Sequence, residues 1–517
     1  MAVLGIELGS TRIKGVLIDQ YGEVLATGAY AWENRLENGF FTYPLEEVWT
    51  ALADVIAQIR KAAPAGVSVE CLGFSAMMHG YLAFGRDGEL LTPFRTWRNT
   101  TTGTAAAALS KALSFNIPQR WSAAHLYQAI LDGEEHVHEI ACLTTLAGYV
   151  HWTLTGDNCL GVGDASGMFP MRGEGYDDAM LQTFERLAAE KGYVLHLSEI
   201  LPRVCGAGDY AGQLTEEGAS RLDPTGWLQA GTPLCPPEGD AGTGMVATNS
   251  IAPRTGNVSA GTSIFAMIVL EKPLTRVYPE IDIVMTPTGN PVAMVHCNNC
   301  SSDIDAWGRL FGEVIRRAGA AIDANALYDL LYGAAIEAGV EPDAGGLLSY
   351  NYYSGEPITE TSSGVPLLLR RPDSVLNLAN LSRSLLFSSV ATLKMGMDIL
   401  TERERVTISH LNGHGGLFKS TRAGQRILSS SLGVPVRVSE TAGEGGAWGI
   451  AVLAGYRVWR SGDESLHEYL QNRLFTGVES CCEMPDASDA AGFARYMEKF
   501  AAGLRVEREA AALLDTL

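Results

Sequence analysis

The sequence is short of positive charge. Its 517 residues carry 38 Lys and Arg against 59 Asp and Glu, a formal net charge of −21. That balance argues against nucleic acid or an anionic membrane as the main partner, because both need a basic surface. A small anionic ligand would have to find local cations. Long apolar runs are missing too: none approaches the roughly 18 residues needed to span a bilayer. The opening MAVLGIELGS turns polar and Gly-rich within a few residues, unlike a secretory leader, so the expected location is the cytoplasm. Cysteine is sparse and odd in number, nine in all, so no disulfide framework is expected. Cys297 and Cys300 have redox or zinc spacing, but Cys481 and Cys482 are adjacent and supply no second spaced pair. Buried thiols are the expectation.

Glycine, by contrast, is abundant at 57 residues, which favours tight turns and close backbone approaches. Hydrophobic residues at 46% and charged residues at 19% suit a compact α/β protein. The length exceeds one core and suggests two domains of about 250 residues each. From Val3 to Trp32, apolar runs alternate with GST and QYGE turns, which predicts three antiparallel strands. Helical spacing of apolar residues follows from Pro44 to Ala63, and VECLGFS then reads as a buried strand. The second half starts the same way. GNVSAGTSIFAMIVL lies on IELGSTRIKGVLI with Gly261-Thr262-Ser263 over Gly9-Ser10-Thr11, as an ancient duplication would leave it. Two apolar runs, helices at 303–318, 325–338 and 377–400, a strand RVTISHLN, and helices near 420–431 and 444–459 are expected after it.

Each hairpin turn joins a glycine to small hydroxyl residues. Glycine lets phosphate oxygens approach backbone N–H groups and Ser or Thr adds a donor, so two such loops could clamp a triphosphate; plain β-turns are the alternative. Lys14 could add positive charge. Familiar nucleotide signatures fail: GHGGLFKS puts Phe418 where a P-loop needs glycine, and GTGMVA follows PPEGDA without a strand, which weakens a dehydrogenase reading. NGHGG, after a predicted strand and before a helix, could let adenosine and its α-phosphate lie against bare backbone at Gly415 and Gly416. In LCPPEGDAGTGMVATNS, Asp240 stands alone among three glycines on a predicted turn.

GIELGSTRIKG, GFSAMMHG, LTG with GDASG, EGDAGTG, SAGTS, NGHGG and GGAWGIAVLAG occur in this order over nearly the whole chain. The set resembles the FGGY family of carbohydrate kinases, within the actin-like ATPase and sugar-kinase superfamily. The resemblance implies an α/β fold of two ribonuclease-H-like lobes around a central cleft, closing over ATP, Mg²⁺ and a sugar. Residues 1–250 would carry sugar binding, the first phosphate loop and the catalytic acid; residues 251–517 would carry the second phosphate loop and the adenosine site. It places the catalytic base at Asp240, where it would also touch the sugar, with Met78, His79, Trp97 and Asn99 as further sugar contacts. Gly9, Ser10, Thr11, Lys14, Gly261, Thr262, Ser263, Gly415 and Gly416 would hold ATP.

The chain departs from the family at three places. Glu7 replaces the usual aspartate that helps hold hydrated Mg²⁺, and a contact through water remains within its reach. Met77 stands for a glutamine of the xylulose kinases, and TWRNTTTG lacks the acid found near Trp97 in many relatives. The expected function is therefore an ATP-dependent kinase of a small sugar, a ketopentose such as xylulose. The alternatives are a kinase for another ketose, a polyol or a sugar acid, and a nucleotide- or sugar-binding regulator of the same fold. The expected partners are small molecules, with no nucleic acid or membrane, and a homodimer is compatible with this reading.

Overall fold

A computed structural model describes residues 1–337, 339–419, 422–439, 445–478 and 480–514. The chain forms two compact units: Met1–Ala252 with Asp282–Val292 and Glu444–Gly477, and Pro253–Ile281 with Ala293–Gly443 and Val478–Leu517.

The first unit is built on the expected meander. Strands Ala2–Leu8, Arg12–Ile18 and Val24–Ala31 pair antiparallel in sequence order, and Val69–Ala76 adds parallel to the first strand. The short strand Glu238–Gly239 pairs parallel with Val69–Ala76 at Ser75 and Ala76. Every residue of Ala2–Leu8 except Glu7 is buried, as befits a strand covered on both faces. Helix Leu45–Ala62 buries Val48, Leu52, Val55, Ile56 and Ile59, with Glu46 and Glu47 in its first turn and Arg60 and Lys61 in its last, matching the helix dipole. It lies close to the sheet because Gly15 and Gly28 carry no side chain: a methyl on Gly15 would meet Ile59 at 2.6 Å. Helix Gly445–Trp459 also belongs to this unit, and its backbone at Ala447 and Ala451 would collide with any side chain at Gly5.

The second unit repeats this order. Thr255–Ala260 and Ile264–Val269 form the hairpin, with Ala260 opposite Ile264. Pro291–Cys297 flanks the hairpin on one side; on the other, His410–His414 pairs parallel with Thr255–Ala260, followed by Val436–Ser439 and Ser480–Glu483. Helices Ser302–Arg317, Ala324–Ala334, Leu378–Asp398 and Ala423–Leu432 form where periodicity predicts them, although the expected starts at 420 and 444 lie outside the described residues.

Two local expectations change. The strand read as RVTISHLN begins only at His410, because Arg405 turns the chain with φ 57° and pairing starts at Ser409, whose N–H donates to the Arg254 carbonyl. The glycines after Asp240 are not turn residues: Gly242 and Gly244 lie inside helix Asp240–Ala247, with Asp240 in its first turn. The helix packs closely on Gly445–Trp459, where a side chain at Gly449 would run into its Thr243 backbone. The described cysteines are all free, and seven of the nine are buried. Among the described residues no helix is long and apolar enough to cross a membrane.

Candidate active site

Three parallel strands of the first unit end side by side. Glu7 pairs with Ser75, and Ser75 pairs with Glu238, so the segments that follow these residues emerge from one edge of the sheet. They are the Gly9–Arg12 turn, the Met77–Gly80 turn and helix Asp240–Ala247. The C-terminal ends of parallel strands are where α/β sheets bind ligands.

Asp240 is open to solvent at the start of its helix. Its Oδ1 accepts the Met78 N–H at 3.2 Å. Dense protein around it raises its carboxyl above the ordinary range, while the N–H groups of Met78 and Ala241 and the Arg120 guanidinium favour the ionised form. Glu7 is pushed up to about 7 by burial and by the charge of Asp240, against the Ala447 N–H and Lys14, which faces it across the hairpin. The two carboxyls repel each other, and such a pair attracts a cation. Among the described residues no three His, Cys, Asp or Glu side chains are grouped as a metal cage. These hard oxygen donors suit a Mg²⁺ ion held mainly by phosphates and water.

Met78 and His79 are buried beside Asp240. His79 has φ 71°, an uncommon conformation of the kind found at functional turns. Its Nδ1 lies 3.2 Å from the Gly167 carbonyl, and its ring stacks on Trp121 at 6.2 Å. Burial, with help from Arg120, pushes it down to about 3, so the imidazole is neutral. Trp97 is exposed, whereas Asn99 is buried with its amide engaged: it accepts from the Phe41 N–H and donates to the Phe41 and Thr96 carbonyls. In this arrangement Asn99 braces the Trp97 loop from behind.

Four residues that sequence reasoning left without a role belong to this edge. Arg120 affects both Asp240 and His79, its carbonyl accepts the Gly80 N–H, and its guanidinium is ion-paired with Asp282, which Asn116 also holds at 3.0 Å. No local pattern marks Arg120 or Asp282. Asp164 and Glu238 were visible within GDASG and EGDAGTG without a role; both are buried, and desolvation pushes them up to about 7 and about 8. A cavity of about 1010 Å³ beside Arg172, Tyr176 and Arg203 contains none of the expected residues.

In the second unit, the Gly261–Ser263 turn ends the strand that pairs with His410–His414, and Gly415 follows directly. Gly415 has φ 104°, and a side chain there would strike the Ala260 carbonyl, so glycine brings the two expected nucleotide segments together.

The FGGY carbohydrate kinase N-terminal domain matches residues 2–246, and the family's C-terminal domain matches residues 256–458. A xylulose kinase of Haemophilus influenzae is 22% identical over 96% of this chain and 98% of its own. Among solved structures, a ligand-bound xylulose kinase from Lactobacillus acidophilus superposes with a TM-score of 0.78 at 16% identity, over 97% of both chains. A gluconate kinase from Lactobacillus acidophilus does so with a TM-score of 0.79 at 16% identity, over 99% of both. These likenesses show the two-lobe actin-like ATPase fold. With both family domains matched in order, the chain belongs to the FGGY family of carbohydrate kinases and is an ATP-using sugar kinase.

Proposed function

We propose that this enzyme transfers the γ-phosphate of ATP to a hydroxyl of a ketopentose such as xylulose. The observation that carries the reading is Asp240, a solvent-reached carboxylate at the end of the central strands, held by the Met78 N–H beside a glycine-hydroxyl hairpin. Met78 fixes one carboxylate oxygen, which leaves the other to accept the proton of the acceptor hydroxyl as its oxygen attacks the γ-phosphorus. Most of the rate then comes from placement and charge neutralisation. Met78, neutral His79 and exposed Trp97 form the sugar side, with Asn99 bracing the loop. Gly9, Ser10, Thr11 and Lys14 in one unit, and Gly261, Thr262 and Ser263 in the other, take phosphate oxygens; Gly415 and Gly416 take the adenosine side. Mg²⁺ arriving with ATP supplies charge neutralisation at the phosphates, and Glu7 would hold it through water.

One observation favours a second reading within the same class. Arg120, beside Asp240 and His79, would suit the carboxylate of a sugar acid. A coupled ADP-release screen over pentuloses, hexuloses, polyols and aldonates separates the two. The highest kcat/KM on xylulose supports the first reading, and preference for an aldonate that is lost in Arg120→Gln supports the second. No acceptor-dependent ADP release from any of these substrates would overturn both.

A further inference from the structure

Glu238 is a buried acid two residues before Asp240, and packing alone does not call for it. An apolar residue would fill the same strand end without the cost of desolvating a carboxyl. Its contacts show what it holds. One oxygen accepts the Gly163 N–H at 3.3 Å; the other accepts the Asp164 N–H at 3.0 Å and the Gly239 N–H at 3.4 Å. The Gly161 N–H donates to the Pro237 carbonyl at 2.8 Å, so the segments 161–164 and 237–239 are tied at three points. Gly161 and Gly163 are the space this acid needs, because a methyl on either would collide with its carboxyl oxygens.

The tied segment runs on to the acceptor side. Asp164 accepts the Thr145 hydroxyl at 2.6 Å through one oxygen; its other oxygen is buried without a partner, 3.2 Å from where a side chain on Gly239 would begin. Three residues on, the Gly167 carbonyl meets His79 Nδ1 at 3.2 Å, and a methyl at Gly167 would press on Met78 Cε at 2.9 Å. The Met78 N–H in turn holds Asp240. A ring is closed: Glu238, the 163–167 segment, Met78 and His79, Asp240, and back along the chain to Glu238.

We propose that Glu238 is a positioning residue for phosphoryl transfer: its carboxyl closes this ring and so sets Asp240 against the Met78–His79 edge that faces the acceptor. The proposal rests on the reading of Asp240 as the base. Small displacements of a base from its substrate are expensive in rate, so the link should show in kcat rather than in nucleotide binding.

The test compares wild type with Glu238→Ala, Glu238→Gln, Gly163→Ala and Asp240→Asn, using the best acceptor from the ADP-release screen. Glu238→Ala is expected to lower kcat by about 10- to 100-fold with KM for ATP unchanged, the size typical of lost outer-shell support. Glu238→Gln keeps the shape and one acceptor oxygen but sets its NH2 donor against an N–H, so it should recover only part of the loss. Gly163→Ala leaves the acid in place but pushes its carboxyl away, so it should reproduce the kcat loss even if Glu238→Ala fails to fold. Wild-type kcat in a folded Glu238→Ala or Gly163→Ala variant, with only a lowered melting temperature, would overturn the positioning role and leave a core residue. Asp240→Asn keeps the failures apart. Turnover in that variant overturns the base itself, whereas its loss alongside an indifferent Gly163→Ala overturns only the link to Glu238.

Discussion

The two glycine-hydroxyl hairpins occupy equivalent places in their sheets but are held differently. In the first, Leu8 pairs with Ile13, and the Gly9 N–H closes the turn on the Arg12 carbonyl at 3.0 Å. Side chains fasten it: Trp32 Nε1 donates to the Gly9 carbonyl at 2.7 Å and the Tyr43 hydroxyl to the Ser10 carbonyl at 2.6 Å. In the second, Ala260 pairs with Ile264 across a turn one residue shorter, and main chain fastens it, with the Cys300 and Ser301 N–H groups donating to the Thr262 and Gly261 carbonyls at 2.9 and 3.1 Å. Their glycines differ as well. A side chain on Gly9 would sit 3.0 Å from the Arg12 carbonyl, whereas one on Gly261 would meet none of the described residues within 4 Å. Glycine at 9 thus has an internal reason, while at 261 the described residues supply none. On the proposed reading, the space over Gly261 is where a phosphate would come close.

The largest expected effect breaks the symmetry of the two units. The proposed base lies in the first alone, so Asp240→Asn should lower kcat by roughly 10² to 10⁴ while calorimetry finds ADP affinity unchanged. Wild-type turnover would remove Asp240 from the mechanism.

The comparison is sharpened next by the glycines themselves. Gly261→Val should weaken ADP binding by about tenfold or more with an unchanged melting temperature, because the added groups meet ligand and not protein. Gly9→Ala should cost about 1 kcal/mol of stability through the crowded Arg12 carbonyl, in addition to any loss of nucleotide. Thermal melts and calorimetry on both variants check the contrast; equal melting temperatures would erase it.

A smaller effect tests what the first hairpin has that the second lacks. Glu7 sits at about 7, so it gains its charge as pH rises through neutrality. The Mg²⁺ concentration needed for half-maximal rate should therefore fall between pH 6 and 8 in wild type. It should change less in Glu7→Gln and be lower throughout in Glu7→Asp, whose shorter acid restores the family's reach. Identical Mg²⁺ titrations for all three would make Glu7 a strand-end acid only.

The smallest effect is on stability. Glu238 binds its proton more tightly folded than unfolded, since burial raises it from 4.5 to about 8. Its stabilisation is complete below about pH 4.5 and is lost as pH rises through about 8. Denaturant titrations across that window should show wild-type stability falling more steeply than that of Glu238→Gln. Parallel curves would show that Glu238 does not titrate in this range.

Much of this protein was legible along the chain because its signals are short-range. Alternating apolar runs with Gly-rich turns specify the strand hairpins, apolar spacing from Leu45 to Ile59 specifies an amphipathic helix, and ordered motifs mark the Asp240 and Gly261 segments. Tertiary structure decided what depends on distant partners. It took Gly445–Trp459 from the second half of the chain into the first unit, where Gly5 leaves room for its backbone. It turned the glycines after Asp240 from a loop into a helix, because packing against Gly449 outweighs their weak local preference. It also gave Arg120 and Asp164 their places beside Asp240 and buried Glu238 against the 163–164 segment. A buried charge or a borrowed N–H depends on desolvation and on residues some 75 positions away, and neither leaves a periodic mark in sequence.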